Sequence, residues 1–389
     1  GAGERLYGFP QPPVPNSQPR FFEEPFMKTT RREIIKAASA SALLAPAMTA
    51  AQTKSWPPAE TGAPKICLGV RGDLDEAGMR RVKQIGVDYV LMGGPPIPWT
   101  EEVLRERMNR FKAGGLTIIN MMIGGFPKTI YGKPGRDEEI EKVKQSIHVA
   151  GKAGLPVIEY NFYAHRIVEG YYEELGRAGA GMTAFDYDRV KDLPPLPDIG
   201  AWTLEQMWAN ITYFLKAVVP EAEKAGVRLA QHPNDPPAPI SRGSQQIMST
   251  LAGWKKLVDI VKSPANGITF DCGVTRELGE DPVAVAKYFG ARDSINHVHY
   301  RNVIVRKPYE KYTEVFIDEG QVNMFAVMQE LVKQKYSRGL YPEHPRAIDY
   351  DRERNAIQGI YAKVGGGGFG GEIYNVGYTK AMLQAALAR

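Results

Sequence analysis

From residue 58 onward two patterns of apolar positions alternate along the chain. Eight short runs are dense in β-branched and apolar residues: "KICLGV" (65–70), "VDYVLMGG" (87–94), "LTIINMMIGG" (116–125), "LPVIEYNF" (155–162), "VRLAQHP" (227–233), "GITFDCG" (267–273), "INHVHYRN" (295–302) and "GLYPEH" (339–344). Between them lie longer stretches with apolar residues three or four apart, among them "LDEAGMRRVKQIG", "TEEVLRERMNRFKAGG", "EIEKVKQSIHVAGKAG", "TLEQMWANITYFLKAVVPEAEKAG", "IMSTLAGWKKLVDIVKS", "DPVAVAKYFG" and "MFAVMQELVKQKY". The first pattern predicts strands and the second amphipathic helices, several ending in Gly as helix C-termini commonly do. Eight strands, each followed by a helix, predict a (β/α)₈ TIM barrel. A doubly wound sheet would carry a Gly-rich phosphate-binding turn after an early strand; "GGPP" (93–96) and "GGF" (124–126) are turns without that fingerprint.

Two long excursions interrupt the alternation, 163–200 after the fourth run and 303–322 after the seventh. Both leave at strand C-terminal ends, where a barrel carries its active site. Rich in aromatic and charged residues, they are expected either to form a lid or to make contacts between copies in a homo-oligomer. The stretch "VGGGGFGGEIYNVGY" reads as a flexible linker before a closing helix, "YTKAMLQAALA".

The start of the chain has a different character. Residues 27–51 combine a basic segment containing Arg31 and Arg32, an apolar stretch from Ala37 to Ala47, and small residues suited to signal peptidase. That layout resembles a twin-arginine export signal and implies a periplasmic protein, or a cytoplasmic one if the signal is not functional. Residues 1–26, Pro-rich and without an initiating Met, read as a cloning or gene-call extension, leaving 60–389 as one catalytic domain. The apolar stretch is too short to span a bilayer and no other run is long enough, so membrane insertion is not expected.

Composition narrows the partners. The chain has 389 residues, 43% of them hydrophobic, and a formal net charge of +5 with its Lys and Arg dispersed, which argues against a nucleic-acid footprint. Only two cysteines, Cys67 and Cys272, occur, so no disulfide framework is implied, and both sit inside strand-like runs.

Candidate chemistry gathers at the strand ends. The fifth run ends at His232, the sixth carries Cys272, the seventh His297 and His299, and the eighth ends at Glu343 and His344. In a barrel these ends share one mouth, where imidazoles, a thiolate and a carboxylate can surround Zn²⁺, Fe²⁺ or Mn²⁺ and leave positions open for substrate. By the period of two, His297, His299 and Arg301 face the same way. His299, nearer the mouth, is the expected ligand, His297 lies in the layer beneath, and Arg301 is placed to bind an anionic substrate. In "HPNDPP", Asn234 and Asp235 can orient neighbouring groups from a proline-stiffened loop. Asn161, Asp235, Arg301 and Asn302 are the expected substrate-binding side chains.

The ordered series "HPNDPPAPI", "GITFDCG", "HYRNV", "EVFIDEGQVNMFAVMQEL" and "YPEH", with "EYNFY" and "TAFDYD" upstream, resembles the mannonate dehydratase family over most of the chain after residue 65. The resemblance implies a xylose-isomerase-like (β/α)₈ barrel that binds Mn²⁺ or Fe²⁺ and dehydrates D-mannonate to 2-keto-3-deoxy-D-gluconate. Carried over residue by residue, it implies His232, Cys272 and His299 as ligands. Glu343 stands where the family's "RPDHG" has Asp, and Tyr378 of "NVGY" where the late "PGY" has Tyr. "DCG" and "YAHRIVEGYY" depart from the family's pattern at the substrate mouth.

The resemblance thus implies a metal-dependent hydro-lyase acting on a small sugar acid. Tyr378 and His344 are expected to move protons and Arg301 to hold the carboxylate, with His165 a weaker candidate. The alternative is an isomerase, an epimerase or a lyase on an oxidised glycoside, favoured by Glu343, by Glu159 at the end of the fourth run as an extra carboxylate ligand and by the export signal. A non-catalytic sugar-binding protein would have little reason to gather so many ligand-type residues at one mouth.

Overall fold

All eight apolar runs form strands, and they close on themselves. The computed structural model describes residues 62–354 and 360–388. The segments 1–26 and 27–51, read above as an extension and an export signal, lie outside the described residues. In chain order the strands are β1 (Lys65–Gly69), β2 (Tyr89–Gly93), β3 (Thr117–Ile123), β4 (Val157–Tyr160), β5 (Tyr171–Leu175), β6 (Gly181–Asp186) and β7 (Arg228–Gln231). There follow β8 (Ile240–Ser241), β9 (Ser244–Gln245), β10 (Asn266–Asp271), β11 (Ile295–His299), β12 (Asn302–Lys307), β13 (Lys311–Val315) and β14 (Gly339–Tyr341). The order β1-β14-β11-β10-β7-β4-β3-β2 is a closed barrel, and each of its pairs is parallel.

Helices begin where the sequence supplies an N-cap. Asp75, Thr100, Thr203, Thr250, Asp281 and Asn323 each accept a hydrogen bond from a first-turn amide of the helix that follows. Their buried faces, such as Met207, Ile211, Phe214, Leu215 and Val218 of Leu204–Ala225, pack on the strands to form the main core. No helix among the described residues is long and apolar enough to cross a membrane. Cys67 and Cys272 are both free and buried.

The two excursions pair with each other. β5 and β6 of the first join β12 and β13 of the second in an antiparallel sheet of order β12-β13-β6-β5, with Glu314 opposite Thr183 and Tyr312 opposite Phe185. Stacking of Phe185 on Tyr312 at 5.3 Å, with Tyr171 edge-on to Phe185, gives this sheet its own small core.

One expectation is corrected. The glycine-rich stretch is no linker: the helix Phe369–Leu387 starts inside it. The fully buried Asp351 carboxylate accepts from the amides of Gly368, Gly370 and Gly371 at 3.1, 2.8 and 3.0 Å. A Cβ on Gly371 would sit 2.8 Å from the Arg346 carbonyl oxygen, so glycine lets the helix start press against that backbone. Replacing Asp351 with Ala leaves those amides uncapped and is expected to cost about 1–3 kcal/mol. A lowered urea midpoint at unchanged m-value is the expected result, and an unmoved midpoint would reject the capping role.

Candidate metal centre and active site

Backbone register assembles the site. Asp271 at the end of β10 pairs with His299 of β11, Thr269 pairs with His297 one layer below, and His299 pairs with Tyr341 of β14. On the other side Tyr160 of β4 pairs with Gln231 of β7, and the next amide, His232 N, bonds the Tyr160 carbonyl at 2.9 Å. Side chains two apart share a face, so Thr269 and Asp271 stand beside His297 and His299. A cavity of 240 Å³ opens above them, lined among others by Glu159, Asn161, Tyr163, Arg166, His232 and His344.

Ligand-type atoms converge there in two groups that share His299. Glu159, His232 and His299 form one; Asp271, His299 and Glu343 form the other; within each, the atoms lie within 4.8 Å of one another. His232 Nδ1 is 2.7 Å from the Pro233 carbonyl oxygen, which can only accept. Burial, together with the neighbouring His299, holds His232 below its ordinary pKa and so uncharged. Its proton is therefore on Nδ1, and the Nε2 lone pair faces His299 Nδ1 at 3.2 Å. His299 Nδ1 also lies 3.0 Å from Glu343 Oε2 and 3.9 Å from Asp271 Oδ2. Metal–ligand bonds of about 2.0–2.2 Å place neighbouring donors about 3 Å apart, so these spacings suit one divalent cation.

The electrostatics single out His299 and Glu159, while burial pushes the Asp271 carboxyl up to about 7. Burial works against a charged His299, yet Glu343 and Glu159 raise it to about 9. For Glu159, burial pushes the carboxyl up, but His299, His297 and His232 together hold it below its usual value. His297, wholly enclosed one layer down, is pushed by burial to about 4 and stays neutral.

A third group, Asp235, Glu314 and His344, has the right side chains for a metal but a different charge balance. Arg166 contacts Asp235 at 3.2 Å, Arg346 contacts Glu314 at 2.9 Å, and Arg301 lies 3.6 and 3.8 Å from the two. Arginines already supply the positive charge. What this group does is hold His344, whose Nδ1 is 2.9 Å from Glu314 Oε2 and whose Nε2 is 3.5 Å from Glu343 Oε2. Burial opposes its protonation, but Glu314 and Glu343 raise its pKa overall.

The structure brings His232, His299, Glu343, His344, Asp235 and Asn161 to this cavity. Five expectations are corrected. Cys272 is absent from every ligand-type group among the described residues: β10 ends at Asp271, and the helix Cys272–Glu277 turns the thiol into the hydrophobic core. Arg301 is 2% exposed and does not line the cavity; it contacts Asp271 at 3.2 Å, Glu277 at 2.7 Å and Glu343 at 3.1 Å. Asn302 is spent on backbone, donating to the Ile317 and Val322 carbonyls and accepting from Val322 N, so it fastens the second excursion. Tyr378 is half-buried on the helix Phe369–Leu387, packed against the main core and away from the cavity. His165 likewise stays outside the cavity, 3.1 Å from Glu169.

The residues that sequence reasoning missed are Asp271, Tyr163 and Arg166. Asp271 was within reach: alternation through "GITFDCG" sets Thr269 and Asp271 on one face and Phe270 and Cys272 on the other. Gly273 carries a second sign, since a Cβ there would lie 2.5 Å from Arg301 Nη1. Tyr163 and Arg166 lie in an excursion with no periodicity to orient them, and only the fold brings Arg166 Nη2 to Asp235.

Comparison with known proteins places this geometry. Residues 201–382 match the family model described as D-mannonate dehydratase (UxuA). The chain is 30% identical over 348 residues to the mannonate dehydratase of Streptococcus equi subsp. zooepidemicus, covering 81% of this chain and 93% of that one. The crystal structure of mannonate dehydratase from Streptococcus suis serotype 2 superposes with a TM-score of 0.74 at 28% identity, over 84% of this chain and 94% of that chain. A xylose isomerase domain protein from Alicyclobacillus acidocaldarius superposes at a TM-score of 0.54 and 14% identity, covering 84% and 100% of the two chains; that likeness is one of fold.

The two possible roles of Arg301 separate by experiment. A substrate-binding arginine would raise KM when shortened and leave stability nearly intact. As the cation of a buried carboxylate cluster, Arg301→Met is instead expected to cost about 3–5 kcal/mol in chemical denaturation, because the carboxylates lose their compensating charge.

Proposed function

Because this chain belongs to the mannonate dehydratase family, we propose that it is a metal-dependent dehydratase converting D-mannonate to 2-keto-3-deoxy-D-gluconate and water. The observation that carries the reading is the pair of ligand-type groups that share His299, His232 with Glu159 on one side and Asp271 with Glu343 on the other, at a small polar cavity. His232, Asp271, His299 and Glu343 would hold the ion, Mn²⁺ or Fe²⁺, with Asp271 in the place expected of Cys272. Two imidazoles with two carboxylates form a mixed nitrogen and oxygen set suited to such ions. When bound, the ion supplies a Lewis acid for the substrate carboxylate and 2-hydroxyl.

The chain's own groups account for the rest. Arg166 is the guanidinium at the cavity and would face the substrate carboxylate, with Asp235 fixing its orientation. His344 would take the C2 proton through Nε2, since Glu314 holds Nδ1 and strengthens the ring as a base. As the C2–H bond breaks, its electrons form the C2–C3 double bond and the C3–O bond breaks. Tyr163, whose phenol burial keeps protonated, would donate to the departing hydroxyl so that water leaves. The resulting enol takes its 2-oxo form by moving the hydroxyl proton to C3. The isomerase or epimerase alternative has only a likeness of fold behind it.

The test is turnover of D-mannonate by metal-reconstituted protein, followed as the 2-keto-3-deoxy product. Activity lost in His299→Ala supports the reading, whereas no turnover by demonstrably metal-loaded protein rejects it. His344→Gln is expected to lower kcat by about 10²–10⁴-fold with metal content unchanged. A variant that keeps full kcat would remove His344 from the chemistry.

A further inference from the structure

Of the carboxylates that line the cavity, Glu159 alone has no arginine or lysine beside it among the described residues. Glu343 has Arg301, and Asp235 has Arg166 and Arg301. Among the described residues, Glu159 forms one ion pair, with His299, Oε1 to Nε2 at 3.5 Å. Its side chain is 1% exposed, and the facing His299 Nε2 is buried without a hydrogen-bond partner. Its cationic neighbour is thus an imidazole, one that can give up its proton to a metal ion, rather than a fixed arginine or lysine charge.

Its surroundings nevertheless keep it ionised and aimed. Asn120 Nδ2 donates to Oε2 and Thr269 Oγ1 donates to Oε1, each at 2.8 Å. Each oxygen accepts one hydrogen bond and keeps a further lone pair. Two neutral donors behind a carboxylate, with imidazole nitrogens in front, is how outer partners orient a metal ligand. Glu159 also lies within 4.8 Å of the ligand-type atoms of His232 and His299.

We propose that Glu159 is a further metal ligand, adding a third carboxylate to Asp271 and Glu343. The inference rests on the metal-dependent reading above. Its consequence is an oxygen-rich set of higher coordination number, which suits Mn²⁺ and adds little for Zn²⁺, an ion satisfied by four donors. Removing Glu159 therefore weakens Mn²⁺ more than Zn²⁺.

Calorimetric titration of chelator-stripped full-length protein with Mn²⁺ and with Zn²⁺ tests this in wild type, Glu159→Gln and His232→Ala. The expected result is Mn²⁺ binding weakened about 10- to 100-fold in Glu159→Gln, with a smaller change for Zn²⁺. Mn²⁺ binding unchanged in Glu159→Gln, but lost in His232→Ala, overturns the role of Glu159 and leaves the metal site standing. Wild-type protein that binds neither ion, or binds them independently of His232, overturns the metal reading itself. The melting temperature is a second readout. Mn²⁺ should raise it less in Glu159→Gln than in wild type, and an equal rise counts against the proposal. Should Glu159→Gln not fold, Glu159→Asp keeps the charge but withdraws the carboxylate, and undiminished Mn²⁺ affinity there would overturn the inference equally.

Discussion

Everything at the mouth of this barrel depends on one buried guanidinium. Arg301 meets Glu277 at 2.7 Å, Glu343 at 3.1 Å, Asp271 at 3.2 Å, Asp235 at 3.6 Å and Glu314 at 3.8 Å. These carboxylates come from two barrel strand ends, a short helix, the loop after β7 and the sheet built by the excursions. Without a cation among them, burial would force most to take up protons. Burial alone disfavours a charged Arg301 as well, but Asp271, Glu277 and their neighbours hold it firmly protonated. Arginine suits the position better than lysine because its planar fork can serve several carboxylates at once.

That arrangement divides the acidic residues into two sets. Around Asp235 and Glu314 the positive charge is already built in, through Arg166, Arg301 and Arg346, and the product is a fixed geometry for His344. Around His299 the protein supplies less. Glu159, Asp271 and Glu343 all face that imidazole, and only Asp271 and Glu343 share Arg301. In the absence of metal a protonated His299 carries the positive charge here, 3.2 Å from the His232 nitrogen, and a divalent ion would take the place of that proton.

The sheet formed by the excursions belongs to the site as much as the barrel does. β13 carries Glu314 to Arg301 and His344, while Tyr171 of β5 donates to Asp235 at 2.8 Å. Asn302 ties the root of the second excursion to its return at Val322. Antiparallel pairing of β6 with β13 joins two segments more than a hundred residues apart, so each excursion gives the other its strand partner.

What the sequence determined by itself was whatever follows from local periodicity. Alternating apolar runs specified eight strands and the intervening helices, and through them the barrel and the mouth where His232, His299, Glu343 and His344 meet. Periodicity reaches only as far as regular structure does. At "FDCG" the strand stops and a helix starts within one residue, so the choice between Asp271 and Cys272 turned on where β10 ends. Arg301 shows a second limit: alternation placed it on the face of His299, but its destination was set by carboxylates 24 to 66 residues away in the chain, Asp235, Asp271, Glu277 and Glu343. The glycine stretch became a helix start because Asp351 caps it from another segment. Which side chains reach substrate, which neutralise charge and which carry a proton was decided by tertiary structure alone, since compensation of buried charge is a property of neighbours in space.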